Sequence, residues 1–354
     1  MQPSLVKILR CPVTRSLLIP QCITLFPGTN EIENGILLAG EDWFYPIING
    51  VPRLIVEAFL DYEDFFAKHL PDYSTRKIKL LEKHKKLVTG VVKKNRRTKE
   101  SFSQEWSVFN YDKDKTWDKD PAALIYLFLQ EIDEPRENLN DKLIFDAGCG
   151  NGVLDKHIAR AGATVVAMDF SRSIEKAYKQ NKQPNLHFIQ GDVQFPPVAF
   201  KLFDIVHSSG VLIHTNNTEY SFSCIEPCVK QHGKLSVWLY HPRKGLIHNL
   251  FNFIRRGTSK LPIRIQYYLY AVTLFPASFM IKRLKGNKQN AREMMIDILD
   301  WFSPEFRWEH EPSEAASWFH KRNYTAVQTT TFSTFGFNII GINGQPGQNE
   351  DRNI

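Results

Sequence analysis

Three acidic residues and a run of glycines are the parts of this 354-residue chain best suited to chemistry. The run is Leu143-Ile144-Phe145-Asp146-Ala147-Gly148-Cys149-Gly150-Asn151-Gly152, an apolar stretch that ends in a glycine-rich turn and opens into a helix-like segment. Glycine is needed where the backbone approaches a ligand closely or turns through positive φ. The spacing is GxGxG, with an acid two residues before the first glycine. Val153 stands where a dinucleotide fingerprint needs its last glycine. Asp169 ends the next apolar run, 23 residues after Asp146, where a carboxylate can accept from ribose hydroxyls. Gly191-Asp192 ends a third, where a carboxylate can accept from an adenine amino group. Acids at strand ends repel a pyrophosphate and attract a cation. A nucleoside bearing a sulfonium and an ammonium, S-adenosylmethionine (SAM), suits them better than a dinucleotide.

Moving a methyl group off a sulfonium is an in-line displacement. The protein must align nucleophile, methyl and sulfur, exclude water and remove a proton. His214 follows the fourth apolar run and has a near-neutral reference pKa, so it is the first candidate for base or acceptor contact. Tyr240-His241 closes the fifth run. Trp308-Glu309-His310 and Asp300-Trp301-Phe302-Ser303-Pro304 add aromatic and polar groups of the kind a small-molecule pocket uses. Tyr240, His241 and His310 are therefore further catalytic candidates, although each aromatic taken singly is more often a core residue.

These residues need a sheet to hold them. Between Lys142 and Tyr240, apolar runs alternate with helix-length segments. Leu143–Asp146, Thr164–Asp169, Leu186–Gln190, Phe203–Ser208 and Leu235–Tyr240 read as strands, with helices at Val153–Ala161, Ser173–Lys179 and Glu219–Gln231. Continuous apolar strands alternating with helices imply an α/β, Rossmann-like doubly wound sheet. A helix is expected to start at Asp120-Pro121, and two closing strands at Thr325–Thr331 and Phe337–Asn343.

Residues 1–56 read as a small β-rich unit, with turns at Pro27-Gly28, Asn34-Gly35 and Asn49-Gly50. Residues 57–100 read as a basic helical linker: eleven Lys and Arg against two Glu lie between Arg76 and Glu100, a net of +9 in a chain of net +7. Such a run can attract RNA or an acidic membrane surface, but more often it is a solvated helix face. Residues 246–298 read as a helical lid insert. Its uncharged stretch Ile265–Ile281 spans about 26 Å as one helix, short of a membrane core. Pro276 interrupts it, giving two lid helices over an acceptor cleft, with membrane-surface contact as the minor reading.

The composition, 43% hydrophobic and 23% charged, is that of an ordinary globular protein. Five scattered cysteines and no basic-then-apolar start argue against a disulfide framework and a secretory leader, and place the chain in a reducing cytoplasm.

Over residues 101–345 the sequence resembles the class I SAM-dependent methyltransferases. Phe145–Gly152 resembles their first motif and Gly191-Asp192-Val193 their adenine-contact strand end. Phe203-Asp204-Ile205-Val206-His207-Ser208-Ser209-Gly210-Val211-Leu212-Ile213-His214-Thr215 resembles their fourth motif, with Ile213 in place of the first of two histidines. The resemblance implies that Gly148 and Gly150 line the methionine part of SAM, Asp169 the ribose, and Asp192 with Val193 the adenine. Asp146, Cys149, Phe170 and Ser209 fall beside these positions. Phe102 and Trp106 fall where relatives place aromatics over the cofactor. Residues 1–56 resemble the small zinc-ribbon-like activator domain of several RNA and protein methyltransferases, through Leu9-Arg10-Cys11-Pro12-Val13-Thr14 and Tyr45–Pro52. Thr14 stands where metal-binding relatives have the second cysteine, so no zinc is expected, and the unit reads as a packing or dimerisation element.

Three functions follow as expectations. The first is SAM-dependent methylation of a small molecule, in biosynthesis of a specialised metabolite or cell-surface precursor. The second is methylation of RNA or a protein, with nucleic acid reached through 76–99. The third is a SAM-binding scaffold without catalysis.

Overall fold

The computed structural model describes residues 1–40, 42–108, 121–172, 174–243, 245–287 and 289–344, with side chains except at 97–98, 100–108, 121–122, 247 and 300. Among the described residues eleven strands make a single sheet, in the order β1-β2-β3-β4-β7-β6-β5-β8-β9-β11-β10.

Its first four strands are an antiparallel meander: β1 (Ile19–Leu25), β2 (Ile32–Ala39), β3 (Trp43–Ile48) and β4 (Val51–Leu54). Asn49 and Gly50 both take positive φ, 52° and 82°, as a two-residue hairpin turn demands. Three helices follow: α1 (Ala58–Asp61), α2 (Glu63–His69) and the long α3 (Tyr73–Val108), which bends where His84 leaves helical dihedrals. Next comes α4 (Pro121–Ile132), opening on the expected proline. Asp120 lies outside the described residues.

The central unit is parallel: β5 (Leu143–Ala147), α5 (Val153–Arg160), β6 (Thr164–Asp169), α6 (Ile174–Gln180), β7 (Leu186–Gly191), β8 (Phe203–Ser209), α7 (Thr218–Ile225) and β9 (Val229–Tyr240). All six residues of β7 are buried, which is why its sequence shows an apolar run and no alternation. The insert holds α8 (Leu246–Thr258), α9 (Ile263–Val272) and α10 (Leu274–Leu284), packed with α11 (Ala291–Phe302) around a core of Tyr270, Met295, Ile298, Leu299 and Phe302. Then α12 (Pro312–His320), β10 (Tyr324–Phe332) and β11 (Gly336–Asn343) close the sheet, β11 lying antiparallel between β9 and β10. This is the α/β doubly wound fold expected, with a β-rich N-terminal region and a helical insert.

Three local expectations need correcting. The helix expected over Glu219–Gln231 stops at Ile225. Pro227 breaks it, and β9 begins at Val229, six residues before the expected Leu235. The polar Lys230-Gln231-His232 disguises that strand start; His232 sits there at φ 61° beside a break in the β8–β9 register. The two lid helices part at Thr273, and Pro276 is accepted in the first turn of α10, where its missing N–H costs nothing. Finally, residues 1–56 form no sheet of their own. The short β4, absent from the sequence reading, pairs in parallel with β7 through Arg53↔Gln190 and Leu54↔Gly191. Leu37, Phe44 and Leu54 share one apolar core with Met168, Ile189 and Val193.

The basic helix is also less bare than its sequence. Lys77 meets Glu63 at 2.7 Å, Lys83 meets Asp42 at 2.5 Å, and Lys99 meets Glu57 at 2.7 Å and Asp61 at 2.5 Å. Three of its eleven cations are answered in this way, by carboxylates of α1, α2, the turn before α1 and the meander.

Candidate active site

The carboxyl ends of β5, β6, β7, β8 and β9 open into a cleft of about 1110 Å³. The turn after β5 is built by its glycines: Gly148, Gly150 and Gly152 stand at φ 119°, 54° and 71°. A Cβ on Gly148 would lie 2.1 Å from Val211, so no side chain is tolerated there. The N–H groups of Gly148 and Cys149 donate to the Met168 carbonyl at 2.8 and 2.9 Å, which ties the turn to β6. Gly150 donates to Asp169 Oδ2 at 2.9 Å, and Ser171 donates through N–H and Oγ to Oδ1 at 2.8 and 2.7 Å. Asp169 is thus held rigidly at its strand tip. Burial pushes its carboxyl up, and these bonds oppose the shift. Asp146, Gly148, Cys149, Gly150, Asp169, Phe170, Asp192, Val193 and Ser209 all line the cleft. Burial raises the Cys149 thiol well above the usual range, so it is no nucleophile at neutral pH. Phe102 and Trp106 fall near the end of α3, and their side chains lie outside the described residues.

The floor holds residues the sequence did not single out. Asp146 was expected to attract the cationic end of a ligand. His207, one strand over on β8, donates from Nδ1 to Asp146 Oδ1 at 3.0 Å and from Nε2 to Glu131 Oε2 on α4 at 2.9 Å. Burial by itself would keep this imidazole neutral, but the hydrogen bonds and charges of Asp146 and Glu131 outweigh it and hold its pKa up to about 10. Two carboxylates therefore share one imidazolium, which leaves an excess of negative charge at the floor. Glu131 Oε1 is buried without a hydrogen-bond partner, and Glu131 lines the cleft. Burial and the neighbouring Asp146 push the Asp155 carboxyl upward.

The third acid is also partnered. Asp192 accepts from the Gln194 N–H at 2.9 Å and from Asn95 Nδ2 at 3.1 Å, with Lys94 Nζ at 3.4 Å. Lys94 and Asn95 lie on α3, so the segment read as a linker forms one wall of the cleft.

The other half of the cleft is aromatic. Trp238, Tyr240, Phe251, Trp301, Phe302, Phe306, Phe332 and Phe335 line it, from β9, α8, α11 with the loop after it, and β10 with the turn after it. Arg307 is clamped behind this wall, its guanidinium 4.1 Å from the Tyr240 ring centre and 4.0 Å from that of Trp301, and it pairs with Glu309. His214 lines the cleft and stands edge-on to Tyr240 at 5.8 Å. Its Nδ1 donates to the Phe306 carbonyl at 2.9 Å, so Nε2 is the basic nitrogen. Burial, with Arg307 and Arg255 adding to it against the Phe306 bond, drops its pKa to about 4. The structure does not bring His241 or His310 into the cleft. His241 stacks on Phe332 and bonds to the Pro242 and Ser333 carbonyls. His310 bonds to Glu314 at 3.0 Å and packs on Trp318.

Residues 145–237 match the family profile of the methyltransferase domain. The match begins inside β5 and ends inside β9, and so covers the three acidic strand tips and leaves out the meander and the insert. The chain is 30% identical over 174 residues to a mitochondrial ubiquinone biosynthesis O-methyltransferase of Schizosaccharomyces pombe, covering 45% of this chain and 63% of that one. It is 32% identical over 109 residues to a demethylmenaquinone methyltransferase of Renibacterium salmoninarum, covering 30% and 46%. The chain thus spans about half to two thirds of the length of these relatives. Among solved structures, a magnesium protoporphyrin IX methyltransferase of Synechocystis PCC 6803 with bound SAH is similar at 15% identity and a TM-score of 0.42, covering 70% of this chain and 98% of that one.

Proposed function

We propose that this chain is an enzyme that transfers the methyl group of SAM to a small, largely apolar acceptor held against the aromatic wall. What carries the reading is one continuous cleft with two unlike halves. One half presents acidic strand tips under a side-chain-free turn; the other presents packed rings with a buried histidine between them. The domain match over 145–237 covers the first half.

The residues fit SAM. Asp169 stands where ribose hydroxyls can donate to it, and Asp192 with Val193 borders the space for adenine. The excess negative charge of Glu131, Asp146 and His207, with the orphaned Glu131 oxygen, suits an ammonium group. When bound, SAM supplies the electrophilic methyl; the chain aligns the acceptor and takes its proton. His214 is the base this reading assigns. It is neutral at physiological pH, and the tautomer fixed by Phe306 turns Nε2 into the proton acceptor. The aromatic wall excludes water and suits a planar ring. The O-methyltransferase name of the Schizosaccharomyces pombe relative supports a hydroxyl as the nucleophile, in a biosynthetic role. The partnered cations of α3 make RNA or protein a weaker second reading.

Titration calorimetry with SAM and S-adenosylhomocysteine tests the cofactor half. Binding that Asp169→Ala weakens at least ten-fold is expected; no heat with either ligand overturns the reading. Turnover on a panel of phenols and hydroxyquinones tests the acceptor half. Cofactor binding without any methylated product would favour the scaffold.

A further inference from the structure

The helices that roof the cleft carry a second, outward-facing character that methyl transfer does not use. Residues 246–292 contain nine Lys and Arg and no Asp or Glu. Six of those cations, Arg256, Lys260, Arg264, Arg283, Lys285 and Arg292, are exposed. Of the 22 large hydrophobic side chains exposed among the described residues, eleven fall between Leu246 and Leu284, so the apolar surface is concentrated here and not scattered. Each of the three helices shows it at helical spacing: Leu246, Leu250 and Phe253 on α8; Ile265, Tyr268 and Val272 on α9; Ala277, Met280, Ile281 and Leu284 on α10. The opposite faces are occupied, since Phe251 of α8 and Ser278 and Lys282 of α10 line the cleft, and Tyr270 of α9 fills the insert core.

A water-facing helix that leaves Leu246 88% exposed and Phe253 77% exposed gains nothing from that in solution. Apolar side chains flanked by cations, with no acid in the same stretch of chain, are the signature of a helix lying in a lipid interface. We propose that the outer face of the α8–α10 insert docks on an anionic lipid surface. The charge decides the occupant. In a two-fold dimer through this face the same acid-free patches would meet, cation against cation. RNA would answer the cations but has no use for a ridge of Leu, Phe, Ile and Met. A bilayer with anionic headgroups answers both, as the side chains enter the acyl boundary and the cations stay at headgroup level. No helix among the described residues is long and apolar enough to cross a membrane, so the attachment is peripheral. The inference stands independently of which acceptor is methylated, because binding is read without cofactor or turnover.

The full chain is floated with vesicles of phosphatidylcholine alone or mixed with phosphatidylglycerol. Binding to the mixed vesicles, lost in high salt and absent on neutral ones, is expected. The exposed-residue variant L250Q/F253Q should lose most of it. Each replacement in an Arg256→Ala, Lys260→Ala, Arg264→Ala and Lys285→Ala series should lower partitioning about five-fold. These side chains lie outside the cleft lining and the buried cores, so SAM affinity should not change. Equal binding to neutral vesicles, no binding to either, or unaltered binding by the variants overturns the proposal. So does a concentration-dependent dimer, or RNA retention without vesicle binding, that L250Q/F253Q abolishes.

Discussion

His207 on β8 and Glu131 on α4, 76 positions apart in sequence, meet at 2.9 Å beneath the cleft, and the far nitrogen of the same ring holds Asp146. The acid at the head of the glycine turn is therefore oriented by a buried cation, and three elements are locked by one imidazole.

His207→Gln should cost about 3–5 kcal/mol of stability, because it leaves two buried carboxylates without their cation. The sign of its pH dependence follows from the raised pKa. The folded state holds a proton that the unfolded chain releases near pH 6.5, so the stabilisation is complete below 6.5 and is lost as pH climbs through about 10. Urea unfolding of wild type and variant between pH 6 and 10 should show the gap narrowing by up to about 1.4 kcal/mol per pH unit. A constant gap excludes the charged imidazole.

Gly148→Ala would place a methyl 2.1 Å from Val211 at a φ of 119°. The turn must shift, so SAM affinity should fall at least ten-fold while the melting temperature drops by only a few degrees, about 1–3 kcal/mol of strain. Calorimetry and thermal unfolding on one preparation separate these effects. Unchanged affinity would show that the turn does not touch the cofactor.

His214→Ala should lower kcat about 10²–10⁴-fold without changing SAM affinity. Burial holds this histidine neutral above about pH 4, so kcat/KM of the wild type should rise through that region and stay level toward pH 8. A rise centred near 6.5 would point to a different, more exposed base.

Phe335→Ala removes a ring that lines the cleft yet is 48% exposed, so the fold should tolerate it. KM for the acceptor should rise several-fold, with SAM affinity unchanged and kcat altered little, as loss of uniform binding predicts. Equal losses in kcat and kcat/KM would place the ring at the reacting atoms instead.

The parallel core was legible because its strands are continuous apolar runs closed by an acid or a glycine turn; Thr164–Asp169 shows the boundary in its residues. The cleft-lining acids Asp146, Asp169 and Asp192 were legible for the same reason, each sitting at or just beyond the end of a strand. Glu131 was not, since on α4 it is one of several polar residues at a helix end and only the packing of α4 against β9, β10 and β11 brings it to His207. Lys94 and Asn95 were hidden inside a charge run whose composition matches any solvated helix. In β4 the four residues Val51–Leu54 are too few for a period, and their pairing partner lies more than 130 residues away.

That pairing sets an order of events on the ribosome. Arg53 is fully buried against Glu175, and β4 has no parallel neighbour until β7 has been synthesised. The emerging meander must wait with an open edge and an unanswered guanidinium, a state prone to pairing with other nascent chains. Shortening the chain from its amino end is accordingly no route to a minimal catalytic unit: it would strip β7, whose tip carries Asp192, of its outer neighbour.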